Sequence, residues 1–373
     1  MPFSSGTTGV AKGVRLSHRN LVANMMQLAP RLEPNGMRSD SVVMCVLPFF
    51  HIYGMNALLN NCLMARAHQV TMPKFDLVEF LELHEKYGIE LSFIAPPIAV
   101  ALAKHPIVDK FTLQALDTVI SGAAALDGEL AAHVGKRLNC KIMQGFGMTE
   151  TSPVTHLSDV GITPLESIGM PLPNTESKVV DITDEQLREI TPPTEEGERS
   201  ADGEMWIRGP QVMLGYLNNP EADAKTLTAD GWLRTGDIVN LDHLGNTYVV
   251  DRMKELIKYK GYQVAPAELE ALLMTREDVA DVAVVGFTRE EDGEEVPRAF
   301  IVRQVTEAGD PLNIDPAELM AWVAERVAPY KKIRMVDFLD SVPKSNTGKI
   351  LRKDLRNVPA TSDTAMWNAS YSA

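Results

Sequence analysis

The feature that most constrains this chain lies almost at its start, in Ser4-Ser5-Gly6-Thr7-Thr8-Gly9-Val10-Ala11-Lys12-Gly13. Glycines let the backbone bend until several N–H groups converge on one point, a concavity that attracts anions. The hydroxyls and the Lys12 ammonium add donors and charge. A Gly/Ser linker has a similar composition, but linkers seldom carry a lysine between glycines and run directly into a segment such as Val14-Arg15-Leu16-Ser17-His18. The loop therefore reads as a phosphate cradle, with Ser4, Ser5, Gly6, Thr7, Thr8, Gly9 and Lys12 as its donors. It is not a Walker A loop, because Lys12 is followed by Gly13 and Val14. A strand normally fixes such a loop, and Met1-Pro2-Phe3 is too short to supply one, so missing sequence upstream is expected.

Beyond the loop, strand and helix patterns alternate. Ser41–Leu47 is an apolar, β-branched run ending at Pro48, and Leu91–Ile94, Asp117–Ile120 and Lys141–Met143 read as further strands. Asp76–Tyr87 carries Leu77, Phe80, Leu81 and Leu83 at helical spacing, and Asp127–Leu138 reads as a helix capped by Asp127. This alternation predicts a layered α/β sheet. From about Ile168 the strands shorten: Glu204–Arg208, then Ile238–Leu241 and Thr247–Asp251 joined as a hairpin, with Thr191–Ala201 as an exposed loop. After Asp251 the pattern predicts a compact α+β unit. It comprises a helix at Ala265–Met274, strands at Asp281–Phe287 and Arg298–Gln304, and a helix at Asp315–Val327, with a basic tail at Lys344–Arg356. The expected organisation is a multi-layer α/β body over 1–251 and a smaller, mobile α+β domain over 252–373.

Composition narrows the function. The formal charge is −14, from 36 basic and 50 acidic residues. Such a chain is a poor generic partner for nucleic acid or an anionic membrane, so any anionic ligand must be held by local lysines and helix N-termini. Cys45, Cys62 and Cys140 are few and widely spaced, which fits small buried hydrophobes in a reducing compartment better than disulfides or a zinc site. No secretory signal or bilayer-length apolar run is evident, and the expected location is the cytoplasm.

Four further motifs complete the pattern. They are Gln144-Gly145-Phe146-Gly147-Met148-Thr149-Glu150-Thr151, Leu233-Arg234-Thr235-Gly236-Asp237, Asp251-Arg252-Met253-Lys254-Glu255-Leu256-Ile257-Lys258-Tyr259-Lys260-Gly261, and Pro343-Lys344-Ser345-Asn346-Thr347-Gly348-Lys349-Ile350-Leu351-Arg352-Lys353. With the Ser4–Gly13 loop, they resemble, in order, the phosphate loop, adenine loop, ribose-binding aspartate, interdomain hinge and catalytic-lysine tail of adenylate-forming enzymes. The likeness is strongest to 4-coumarate–CoA ligases, and it implies the layered fold of that superfamily with its N-terminal part missing.

The resemblance implies a reaction in which a carboxylate and ATP form an acyl-adenylate and pyrophosphate, after which coenzyme A displaces AMP. Two anions must meet in the first step, so positive charge is needed at the α-phosphate. By resemblance Lys349 supplies it, Thr149 holds a phosphate or acyl oxygen, and Glu150 holds Mg2+, a cation that suits one carboxylate plus substrate phosphates. Gln144 and Gly145 match the adenine loop. Asp237 matches the ribose acceptor, with Arg252 assisting. Lys254 matches the hinge about which the C-terminal domain swings. Lys258 and Gln263 match adenylate contacts, and Lys74, Lys260 and Gly261 match coenzyme A contacts.

The acyl pocket is matched by Pro48-Phe49-Phe50-His51-Ile52-Tyr53-Gly54 and by Ser121-Gly122-Ala123-Ala124. These give His51, Tyr53 and Ala123 as contacts for a carboxylic acid, 4-coumarate or a related aromatic acid. His51 alone would more often be a satisfied structural histidine. Ala125 stands where the family usually has proline. A medium- or long-chain fatty acid is the alternative substrate. An inactive remnant that only binds nucleotide is the alternative of a different class. No carrier domain follows in the chain, which disfavours amino-acid activation.

Overall fold

The computed structural model describes residues 1–4, 11–124, 126–289, 293–306, 309–345, 348–362 and 364–367. Ser5, Gly6, Thr7, Thr8 and Gly9 of the expected phosphate cradle lie outside the described residues, as do Ala125, Asn346 and Thr347. The chain divides into two compact units: Met1–Thr235, Val239–Val249 and Asn346–Lys349 form one, and Gly236–Ile238, Val250–Ser345 and Ile350–Ala373 the other.

The first unit is built on a seven-stranded sheet. Its spatial order is His68–Thr71, Val42–Cys45, Leu91–Ile94, Thr118–Ser121, Lys141–Gly147, Val154–Leu157 and Met170–Pro171. The first five strands run parallel and the last two turn antiparallel. Every residue of Leu91–Ile94 and Thr118–Ser121 is buried, as expected for parallel strands covered on both faces. The helices Leu77–Tyr87, Pro96–Lys104 and Gly128–Leu138 supply part of that cover. Asp76 and Asp127 cap two of them, accepting from Glu79 N–H and Leu130 N–H at 2.9 and 3.0 Å. Phe80, Leu91, Phe93, Ile120, Val134 and Met143 belong to the resulting core.

Three features depart from the sequence reading. The strand beginning at Lys141 does not stop at Met143 but runs on through the glycines to Gly147, paired with Val154–Leu157. The glycines leave the main chain free of side-chain obstruction, and pairing rather than propensity extends the strand. Tyr53–Asn60 winds as a π-helix, a form that is rare and concentrates at functional sites. Phe3 and Ser4 pair with Gly13 and Lys12, so even this short N-terminal stretch forms one arm of a hairpin.

A five-stranded sheet contains Glu189–Ile190, Glu176–Val180, Gly203–Arg208, Leu233–Leu241 and Thr247–Arg252 in that order. The second unit holds the hairpin Ile257–Tyr259 and Tyr262–Val264 and a four-stranded sheet of Val279–Thr288, Glu295–Arg303, Met335–Phe338 and Ala365–Met366. Pro266–Met274 and Pro316–Ala324 are its longer helices. Leu269, Leu273, Val282, Val284, Ile301 and Val323 form its core.

Candidate functional site

The site begins with the helix His18–Leu32, which starts just after the glycine-rich loop. Ser17 and Asn20 form a reciprocal capping box at its N-terminus. Asn20, Asn24 and Gln27 recur at helical spacing and are buried. They brace distant loops through their amides. Asn20 Nδ2 donates to the carbonyls of Pro210 and Val212 at 2.8 and 2.9 Å. Asn24 donates to Val154 O at 2.6 Å and accepts from Val154 N–H at 3.1 Å. Asn56, from the π-helix, donates to Ser152 O at 2.6 Å. The chain immediately after Thr149-Glu150 is thus held from two directions by buried amides, whose hydrogen bonds offset the cost of burying them.

The described residues at the two ends of the glycine-rich loop are held as firmly. Ser4 faces Lys12 across the short hairpin. A third segment lies along it: Leu214 N–H donates to Arg15 O, Arg15 N–H to Gly215 O, and Leu217 N–H to Gly13 O, at 2.9, 2.9 and 2.8 Å. Gly215 has φ +125°, and a Cβ there would lie 2.6 Å from Asp223 Oδ2, so glycine is required on both counts. Asp223 Oδ1 in turn accepts from Tyr216 N–H at 2.6 Å. Together these contacts deliver the Tyr216 ring to a site 4.2 Å from Lys12 Nζ.

Tyr216 then meets the expected metal ligand. Its hydroxyl donates to Glu150 Oε1 at 2.8 Å, and the Glu150 main-chain oxygen accepts from Met213 N–H at 2.8 Å. Glu150 is only 3% exposed. Burial, with the Glu150 carboxylate beside it, pushes the Tyr216 phenol well above its ordinary range, so the hydroxyl stays a donor. Sequence reading did not single out Tyr216. Thr149 shares the buried turn Thr149–Thr151 with Glu150.

Gln144 and Gly145 sit in the extended strand. The Gln144 amide is committed within the protein: Oε1 accepts from Leu126 N–H at 3.0 Å, and Nε2 donates to Leu126 O at 2.8 Å and to Leu165 O. What Gln144 offers a ligand is therefore the placement of the Gly145–Gly147 backbone.

The expected acyl-pocket residues gather at the carboxyl ends of the parallel strands, where open α/β sheets bind ligands. Tyr53 is buried, donates to Ile120 O at 3.2 Å and packs edge-on to Phe93. It lies hard against Gly122, whose neighbour Ala123 is exposed and holds φ +75°. His51 Nδ1 accepts from Tyr53 N–H at 3.3 Å, and burial lowers the imidazole pKa, which favours the neutral ring. Lys74 is exposed after the strand His68–Thr71.

In the second unit, Arg252 Nε lies 3.0 Å from Asp237 Oδ1, and Asp237 is 2% exposed. Lys258 pairs with Gln263 across the Ile257–Tyr259 hairpin, and Lys260-Gly261 makes its turn, both with positive φ. Lys254 is exposed, and its carbonyl accepts from Arg356 at 3.4 Å. Lys349, which follows Gly348, falls in the first unit rather than in the C-terminal domain where the sequence placed it; of its flanking residues, Lys344 is bridged to Ile350, and Leu351 N–H donates to Pro343 O at 2.9 Å.

The donors fit a nucleotide with Mg2+. Lys12 and Glu150 converge on one side chain, and among the described residues no three His, Cys, Asp or Glu side chains gather into a metal cage. A single carboxylate completed by substrate phosphates is the ordinary magnesium arrangement.

Residues 1–217 match the family described as AMP-binding enzyme, and residues 268–349 match the AMP-binding enzyme C-terminal domain. The chain belongs to the AMP-binding enzyme family. It is 44% identical over 370 residues to 4-coumarate–CoA ligase 2 of Petroselinum crispum, covering 97% of this chain and 65% of the relative. It is 45% identical to 4-coumarate–CoA ligase 2 of Nicotiana tabacum, covering 95% and 64%. The chain thus spans about 65% of the length of the curated relatives it matches. Among solved structures, ATP-bound MatB from Rhodopseudomonas palustris superimposes with a TM-score of 0.83 at 28% identity, covering 95% of this chain and 67% of that one. O-succinylbenzoate coenzyme A synthetase (MenE) from Bacillus subtilis, in complex with ATP and magnesium, gives 0.79 at 26%, covering 95% and 69%. The adenylate-forming fold expected from the motifs is therefore the fold found. No helix among the described residues is long and apolar enough to cross a membrane.

Proposed function

We propose that this chain is an AMP-forming acid–thiol ligase, joining a carboxylic acid to coenzyme A through an acyl-adenylate. The observation that carries the reading is the convergence of Lys12 and Glu150 on Tyr216. It puts an ammonium and a buried carboxylate at the base of a glycine-rich loop, as a metal-bound polyphosphate requires. In the first step a carboxylate oxygen attacks the α-phosphorus and pyrophosphate leaves. Lys349 offsets the negative charge that accumulates there, and Lys12 and Thr149 hold phosphate oxygens. Glu150 would hold Mg2+, which when bound would neutralise the polyphosphate. Asp237, oriented by Arg252, accepts from the ribose hydroxyls, and the Gln144–Gly147 backbone faces the adenine. In the second step the coenzyme A thiolate attacks the acyl carbonyl and AMP leaves, with Lys74, Lys260 and Gly261 binding coenzyme A and Lys254 at the hinge between the two steps.

The proposed acid is 4-coumarate or a related aromatic acid. The identity of 44–45% to 4-coumarate–CoA ligases supports it, as does the packing of Tyr53 against Gly122 beside the exposed Ala123, small residues against which a flat ring can lie. The partners are small molecules, and the cytoplasm is the proposed location, consistent with three unpaired cysteines. Acid-dependent release of AMP and pyrophosphate, measured across hydroxycinnamates, benzoates and fatty acids, tests the reading. Release driven best by hydroxycinnamates supports it. Release driven best by fatty acids moves the substrate class, and ATP binding without any acid-dependent release sinks the ligase assignment.

A further inference from the structure

Tyr216 has two faces of contact, and they serve different groups. Its ring receives Lys12 Nζ at 4.2 Å from the centroid, and its hydroxyl donates to Glu150 Oε1 at 2.8 Å. The residue is 4% exposed and is fixed by main-chain bonds on either side, from Leu214 and Leu217 to the Gly13–Arg15 segment, and by Asp223 on its own N–H. A side chain held this rigidly transmits position. We propose that Tyr216 is a positioning residue for the nucleotide site. Its hydroxyl fixes the rotation of the Glu150 carboxylate so that the second oxygen is ready for Mg2+, and its ring keeps the Lys12 ammonium within reach of an incoming phosphate.

The inference rests on the nucleotide reading above, and deepens it in a specific way. A carboxylate with one oxygen already bonded loses less rotational freedom when it meets a cation, and a lysine resting on an aromatic face loses less when it meets a phosphate. The two contributions are separable. Replacing the hydroxyl alone should affect only the dependence on magnesium, whereas removing the ring should also affect binding of the metal-free nucleotide.

The test is equilibrium calorimetry of ATP binding to the 373-residue chain, with and without Mg2+, for wild type, Tyr216→Phe, Tyr216→Leu, Lys12→Met and the double variant Lys12→Met/Tyr216→Leu. Tyr216→Phe keeps the ring and its packing. It should bind metal-free ATP like wild type and need about tenfold more Mg2+ for half-maximal enhancement, the size expected for losing one hydrogen bond to a charged group. Tyr216→Leu should weaken metal-free ATP binding by roughly threefold, in line with an exposed or half-buried cation–π contact. In the Lys12→Met background the same Tyr216→Leu change should have no further effect on metal-free binding. A generic packing role would instead weaken both backgrounds alike, and that result would overturn the proposal, as would an unchanged Mg2+ requirement in Tyr216→Phe. A wild-type chain that binds no ATP overturns the nucleotide reading, and this inference with it. Binding by wild type with indistinguishable variants overturns the role of Tyr216 alone.

Discussion

Arg352 lies three residues beyond Lys349 and is anchored in the second unit by an ion pair that water scarcely reaches. Its Nη2 donates to both oxygens of Glu270 at 2.8 and 2.6 Å, and the two side chains are 12% and 13% exposed. Glu270 also accepts from Val284 N–H at 2.7 Å, and Arg352 Nε donates to Val284 O at 3.3 Å. Burial pushes the Glu270 carboxyl above its usual range while Arg352 pulls it back down. Burial would also lower the Arg352 pKa, but Glu270, Asp251 and Glu255 together hold it raised. Replacing Arg352 with Met keeps much of the packing and strands a buried carboxylate. Breaking a buried pair in this one-sided way costs about 3–5 kcal/mol, or roughly 10–20 °C in the melting temperature of a unit this size.

The pH dependence distinguishes this cause from lost packing. In Arg352→Met the folded pKa of Glu270 is raised further above its unfolded value. The stability of such a group is fully present below the unfolded pKa and is lost as pH rises through the folded one. The deficit against wild type should therefore be largest at neutral pH and shrink toward pH 5. Thermal melts from pH 5 to 8 measure it, and hydrogen exchange at the Val284 amide localises it. Adding Glu270→Leu removes the stranded charge and should restore most of the loss. A double variant as unstable as Arg352→Met, with a deficit indifferent to pH, would refute the electrostatic reasoning.

Lys349→Ala should abolish acid-dependent pyrophosphate release yet spare thiolysis of a supplied acyl-adenylate; equal loss of both would contradict its proposed role. His84 is buried between Phe80 O and Ser92 Oγ, and burial lowers its pKa from about 6.5 to about 4. Its contribution is present above pH 6.5 and lost as pH falls toward 4, about 3 kcal/mol over that window; His156, lowered to about 3, loses as much over the same window and continues to lose down to pH 3, so urea titrations should show about 6 kcal/mol lost between pH 6.5 and 4. A flat stability profile between pH 6.5 and 4 would count against this. Gly122→Ala would set a Cβ 3.0 Å from Tyr53 Cε1, Cζ and Oη; overpacking of about 1–3 kcal/mol should appear as a lower melting temperature and a changed ranking of acids, and an unaltered ranking would remove Tyr53 from the pocket wall.

Some of this was legible in the residues themselves. Asp76 and Asp127 are short acceptors ahead of apolar periodic runs, and both cap the helices expected there. Leu91–Ile94 is a strand with the bounds its apolar run gives it. The helix His18–Leu32 was not legible, because the buried stripe of its first three turns is built of Asn20, Asn24 and Gln27 and turns apolar only at Leu28 and Leu32, with Pro30 between them. Tyr53–Asn60 has no local signal for a π-helix either. There the close approach of Gly54 to the Pro48 carbonyl, which a Cβ would reach at 2.3 Å, shows backbone packing setting the shape.

The site divides along the same line. Residue type and motif order pointed to Lys12 and Glu150, because phosphate and magnesium chemistry demand an ammonium and a carboxylate. The groups that hold them in place are different in kind. Asn24, Asn56 and Gln144 bond to main-chain atoms of Val154, Ser152, Leu126 and Leu165, and every residue type presents the same carbonyl. No pattern of side chains can name such a partner; only the folded path of the chain does. The contact between Tyr216 and Glu150, 66 residues apart, is between two side chains. Substitution at both ends can therefore dissect it, as it can the pair of Arg252 and Asp237, whereas the amide braces must be read from how far the chain after Glu150 moves when each is cut.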